Sequence, residues 1–169
     1  MANVVIYLDS SALLSGGKPS REPLEIRQVH QAFSPHVLPV EVGSDVRFPN
    51  GDPFFHNVFS LSKSKTFDLG RYPEGSSRDV TFDQVGVVQV FCHIHSDMSG
   101  IIFVTPNRFF VTPGNDGSYE IREIPPGTYR VVAWHERAKA IVSTVRVRAG
   151  QKTRLDFNIP IADVEPAGH

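Results

Sequence analysis

Apolar and polar residues alternate in one short run after another along this chain, and nowhere do apolar residues sustain the three-and-four spacing of a helix face. The runs are bounded by Gly, Pro, Asn or Asp, residues that turn a chain. The pattern predicts an all-β protein. Strands are expected at 4–8, 24–33, 37–42, 45–48, 57–61, 78–82, 86–92 and 101–105, and in a second set at 109–112, 118–121, 127–135, 141–148 and 153–159. A Pro106-Asn107 break parts the two sets, so residues 20–105 are expected to form one domain and 106–160 another.

The 169 residues suffice for one large or two small domains. A net charge of −1 gives no basic surface for nucleic acid or for an anionic membrane. The single cysteine cannot close an internal disulfide, which leaves its thiol free for a metal. The start, Met1-Ala2-Asn3-Val4-Val5-Ile6-Tyr7-Leu8, lacks a basic leader and is too short for a signal peptide or a membrane span.

That cysteine sits in Phe91-Cys92-His93-Ile94-His95-Ser96-Asp97-Met98, with a histidine three residues on and a methionine three beyond. A thiolate and imidazoles in a trigonal plane, with a weak thioether on the axis, form the donor set that suits copper in a one-electron cycle. The missing histidine should come from another strand, and His56, after the strand-like Val46-Arg47-Phe48, is the natural candidate. Alternation puts Val88, Val90 and Cys92 on one face and Val87, Gln89 and Phe91 on the other, so Cys92 points into a core at a strand end. A ligand loop between two paired strands has little freedom left to lose on binding. Phe48, Phe54, Phe55, Phe91 and Phe103 supply an apolar setting that would exclude water. Taken singly, a lone cysteine or methionine is ordinary core filling; it is the conjunction that points to a metal. His93 should face away from Cys92, and His36 and His135 read as structural.

His56-Asn57-Val58-Phe59 followed by Cys92-x-x-His95-x-x-Met98 resembles the cupredoxins, especially plastocyanin-like and amicyanin-like members and those of methylamine utilisation. Upstream, Val40-x-Val42-Gly43-x-x-Val46-x-Phe48-x-Asn50-x-Asp52 resembles the segment leading to the first histidine, so the likeness covers roughly 24–105. It implies a Greek-key β-sandwich holding one type 1 (blue) copper per chain on His56, Cys92, His95 and Met98. It also implies a one-electron carrier rather than an enzyme, with no small-molecule substrate. Asn57 stands where the family has a residue that bonds at the cysteine sulfur and ties the two ligand segments together. Electrons would pass at His95, where a donor and an acceptor redox protein would dock on a ring of Phe54, Phe55, Ile94 and Met98. The expected location is the periplasm or another exported compartment, with a leader not included in this sequence. Ser96 and Asp97 depart from amicyanin-type loops, where a proline and a bulkier residue are common.

The second set of strands resembles the carboxypeptidase regulatory-like domain, a small transthyretin-like β-sandwich. The resemblance rests on Asp116-Gly117-Ser118-Tyr119-x-Ile121, Ile124-Pro125-Pro126-Gly127-x-Tyr129-x-Val131-x-Ala133-Trp134-His135-Glu136 and Val145-x-Val147-x-x-Gly150. Such domains open with a strand like Val4-Val5-Ile6-Tyr7-Leu8. Two placements are open: a strand within 3–12 completes the sandwich, with the copper domain inserted, or it pairs within the first sheet. Ser15-Gly16-Gly17-Lys18-Pro19-Ser20 reads as a flexible connector in either case. Two other functions compete. A copper-dependent redox enzyme would need a further, intersubunit copper, and oxidases flank the cysteine with histidines on both sides, whereas here Phe91 precedes it and only His93 follows. A storage or binding module would hold copper without passing electrons.

Overall fold

The computed structural model describes residues 3–10, 13 and 23–161. The described residues form strands and no α-helix, as the alternation requires. No helix among them is long and apolar enough to cross a membrane. In chain order the strands are β1 (Val5–Leu8), β2 (Leu24–Glu25), β3 (Arg27–Val29), β4 (Ala32–Ser34), β5 (Val37–Glu41), β6 (Ser44–Pro49) and β7 (His56–Ser62). They continue with β8 (Lys65–Tyr72), β9 (Ser77–Phe82), β10 (Gly86–Phe91), β11 (Ser99–Thr105), β12 (Phe110–Val111), β13 (Gly127–His135) and β14 (Ala138–Val147). The chain divides into two compact units, Met1–Ser10 with Phe109–His169, and Ser11–Arg108.

In the unit Ser11–Arg108 a five-stranded sheet, ordered β5-β11-β10-β7-β8, faces a three-stranded one, β2-β6-β9. Alternation builds the core between them. Val46 and Phe48 of β6 and Val80 and Phe82 of β9 meet Val58 of β7, Val88 and Val90 of β10, and Ile102 and Val104 of β11, all buried. Each such side chain contributes about 1.5–3 kcal/mol when fully removed from water. This is a β-sandwich. Cys92 and Met98 belong to the same apolar cluster, at the end where β10 gives way to its loop.

In the other unit β1 lies inside a four-stranded sheet, β12-β1-β13-β14, with Val5 opposite Trp134 and Ile6 opposite both Ala133 and Val111. Val4, Ile6, Val131 and Ala133 are the buried centre of its core, against which Tyr119, Ile121, Val145, Leu155, Phe157 and Ile159 pack.

Three expected elements come out differently. The run 24–33 is three strands rather than one: β2 pairs with β6 and β3 with β4, and the chain reverses between β3 and β4 at His30 and Gln31, both left-handed at φ 53° and 57°. Segments 118–121 and 153–159 are not strands. Their alternation is used for burial alone, with Leu155, Phe157 and Ile159 turned to the core and no ladder formed. Strand β8 escapes the sequence pattern, since its alternation of half-buried Lys65, Phe67 and Leu69 slips at the left-handed Gly70. The expected connector 15–20 lies outside the described residues.

Candidate metal centre

Three donors meet at one end of the sandwich. His56 opens β7 and is fully buried, Cys92 follows β10 at 5% exposure, and His95 lies three residues on in the loop. The Cys92 Sγ stands 3.8 Å from His56 Nδ1 and 3.8 Å from His95 Nδ1. All three donor atoms lie within 4.8 Å of one another, the only such group of histidine, cysteine and carboxylate donors among the described residues. In a trigonal set of two nitrogens and one sulfur, with bonds of roughly 2.0–2.3 Å, sulfur and nitrogen stand about 3.7 Å apart and the two nitrogens about 3.5 Å. The two sulfur–nitrogen distances therefore match a copper ion held between Cys92 and the two histidines.

The loop is closed by its own backbone. The Cys92 N–H donates to the Met98 carbonyl at 3.3 Å, and the Met98 N–H to the His95 carbonyl at 3.1 Å. Met98 is 1% exposed, in the apolar cluster that holds Cys92. It is therefore no part of an exposed ring around His95, contrary to the expectation from sequence: the loop turns its side chain inward. Phe54, Phe55 and Ile94 do reach solvent. The ring of Phe54 lies against both histidines, 5.2 Å from His56 and 5.5 Å from His95 between centroids.

The expected apolar wall is thinner than the sequence implied. Phe48 is buried in the shared core, but Phe55 is 55% exposed, and strand alternation turns Phe91 and Phe103 away from the donors. Phe91 packs instead on Phe59, with ring centroids 5.8 Å apart.

Asn57 spans the two ligand segments. Its Oδ1 accepts from the His93 N–H at 2.7 Å, and its Nδ2 donates to Asp68 at 3.2 Å. Its side-chain amide is thus spent on the chain beside Cys92 and on β8. His93 turns outward as alternation requires, stacks on Phe59 with centroids 3.7 Å apart and planes 4° from parallel, and reaches Asp68 at 3.4 Å. The Gly70 N–H, above all, holds the Asp68 carboxyl below its ordinary pKa, with Asn57 and His93 adding to it against slight burial. His36 Nδ1 bonds the Ser99 carbonyl at 3.1 Å, and buried His135 accepts from the Arg137 N–H at the same distance.

Sequence reasoning named Asp52 only as the end of the segment leading to His56 and gave it no role. This carboxylate is 4% exposed and accepts from His56 Nε2 at 2.8 Å, from the His30 N–H at 2.7 Å and from the Gln31 N–H at 2.9 Å. Burial works to raise its pKa, and the bonds from Gln31, His56 and His30 together outweigh it, so the group is held below the ordinary carboxylate value. In Asn50-Gly51-Asp52-Pro53 an aspartate looks like any turn former. Its place four residues before a candidate ligand, at the end of that segment, was the available signal.

Comparisons with known proteins give partial likenesses. A family model described as polysaccharide lyase family 4, domain II matches residues 104–155. This displaces the carboxypeptidase regulatory-like family expected for that segment, since alternation and a Pro-Pro-Gly turn mark a β-rich module without telling such families apart. No curated protein matches the chain. Among solved structures, the copper-containing nitrite reductase from Thermus scotoductus SA-01 is 28% identical at a TM-score of 0.48, over 53% of this chain and 24% of that one. The chain thus spans about a quarter of that enzyme. A purple cupredoxin from Nitrosopumilus maritimus is 23% identical at a TM-score of 0.44, over 48% of this chain and 99% of that one. A reduced amicyanin variant is 17% identical at a TM-score of 0.48, over 59% and 98%. At these TM-scores none of them assigns an activity or a partner to this chain.

Proposed function

We propose that the unit holding β2 to β11 is a type 1 copper domain, within the span 20–105, and that the protein is a one-electron carrier with no substrate chemistry of its own. The observation that carries this reading is the placement of one thiolate and two imidazole nitrogens, Sγ to Nδ1 at 3.8 Å on both sides, in a pocket closed by the backbone of its own loop. Copper held there by Cys92, His56 and His95, with Met98 as a weaker fourth donor, would supply a one-electron cycle. Four protein donors leave no open position of the kind hydrolytic metals require.

The residues divide the work. Buried His56 and Cys92 shield the centre from water, Asn57 fixes the ligand segments to each other, and half-exposed His95 is the route in and out. Donor and acceptor proteins dock in turn on the apolar patch of Phe54, Phe55 and Ile94, one giving an electron and the other taking it. An exported, periplasmic-type location belongs to this reading.

Copper titration followed by absorption and electron paramagnetic resonance tests it. One copper per chain and an intense thiolate-to-copper band are expected, and Cys92→Ser should abolish the band. An intense band that survives that change overturns the assignment. The exposed His93 beside Asp68 keeps a second reading in view, an enzyme completed across a subunit interface, which two or more coppers per chain would favour.

A further inference from the structure

The turn between β3 and β4 is made by two side-chain-bearing residues in the left-handed region, His30 and Gln31. Such residues pay a steric cost that glycine and asparagine largely escape. What holds the turn is remote in sequence. Both turn N–H groups donate to Asp52, His30 to Oδ1 and Gln31 to Oδ2, and this same Oδ2 receives His56 Nε2. The carboxylate is itself fixed: the Asp52 N–H donates to Asn50 Oδ1, and the Gly51 N–H donates to the Gln28 carbonyl, both at 2.9 Å. A side chain on Gly51 would sit 2.9 Å from Val29 Cγ1, so this loop lies flush on the hairpin. An ionised carboxylate only accepts hydrogen bonds, so the proton of that contact sits on His56 Nε2, which leaves Nδ1 as the ring nitrogen facing Cys92.

We infer that Asp52 is a positioning residue: it fixes the tautomer and aim of His56 and clamps the β3–β4 turn with the same carboxylate, so that copper on Nδ1 is felt at residues 30 and 31. The inference rests on the copper reading above. An anionic partner makes the imidazole a stronger donor and favours Cu(II), while metal on Nδ1 makes Nε2–H a better donor and tightens the clamp.

The test uses the full chain, copper(II) ions as the probe, and two variants. Asp52→Asn keeps an acceptor but removes the charge. Asp52→Ala is made together with His30→Asn and Gln31→Gly, whose Asn-Gly turn forms without help. In the parent, exchange of the His30 and Gln31 amides should slow several-fold on copper loading. Asp52→Asn should keep the band, lose about tenfold in its preference for Cu(II) over Cu(I), a rise of about 59 mV, and lose the copper effect on exchange. The triple variant should fold and bind copper roughly 10–100-fold more weakly. An unchanged potential in Asp52→Asn, or turn amides in the parent that ignore copper, overturns the inference. A parent that shows no thiolate-to-copper band fails the copper reading instead. The clamp is then read without metal: faster exchange at residues 30 and 31 in metal-free Asp52→Asn supports it, and unchanged exchange overturns it.

Discussion

Residue types at fixed spacing carried the reading of the site, and they did so because metal chemistry restricts which side chains can serve. Cysteine and two histidines are few enough in this chain that their pattern stood out, and the structure puts their donor atoms within 4.8 Å. Met98 was read as a sulfur donor, but its burial was not legible, since its direction depends on how the loop closes. Replacement of Met98 by leucine conserves volume. The expected outcome is retention of copper and of the visible band with a higher potential, measured by voltammetry; outright loss of copper contradicts an axial, tuning role. Beneath the donors, Tyr72 is 1% exposed, donates to the Phe48 carbonyl at 2.9 Å and accepts from Gln28 Nε2 at 2.6 Å. Burial, the larger effect, pushes its phenol up to about 12, so the hydroxyl stays protonated and able to donate. Gln28 Oε1 has no partner among the described residues. Tyr72→Phe strips the amide of its best remaining bond, which should cost about 1–3 kcal/mol in chemical denaturation and leave the copper band in place.

Elements were legible wherever alternation and turn residues agreed. Strand β13 has the bounds read from sequence, β10 differs by one residue at one end and β7 by one at each. The failures share a cause: the deciding interaction comes from elsewhere in the chain. The hairpin of β3 and β4 turns on residues that no local rule favours, held by Asp52 about twenty residues away. Segments 118–121 and 153–159 have strand patterning, but patterning specifies a buried face and not a hydrogen-bonded neighbour. Strand β1 shows the same dependence from the other side. Val4, Val5, Ile6 and Leu8 are each at most 2% exposed, and β1 pairs on both edges. Removing residues before Asp9 should unfold the sheet of β12, β13 and β14 and shift the emission of Trp134, the single tryptophan, to the red. The copper band should persist; its loss alongside an unchanged Trp134 would reverse the dependence.

For the molecule as a whole, the functional claim concerns a surface. Transient redox encounters have small interfaces and modest affinity, so a few exposed apolar side chains near His95 suffice. Ile94→Glu places a charge on that patch. Electron transfer with the physiological partner should slow by stopped-flow measurement, with spectrum and potential unchanged; a rate equal to the parent's would move the docking face elsewhere. The path of the chain has a different consequence. The Leu8 N–H donates to the Phe109 carbonyl, so the chain departs after β1 and returns beside its own point of exit. Translation delivers β1 before every strand of the intervening unit, yet its partners β12 and β13 come after that unit, because Val5 waits for Trp134. The intervening unit, Ser11–Arg108, has all its strands before then and can close while β1 is still unpaired. Every nascent chain therefore carries an unpaired apolar strand until β12 and β13 are made, and arrest before β13 leaves a closed unit with a sticky end for chaperones or proteases to find.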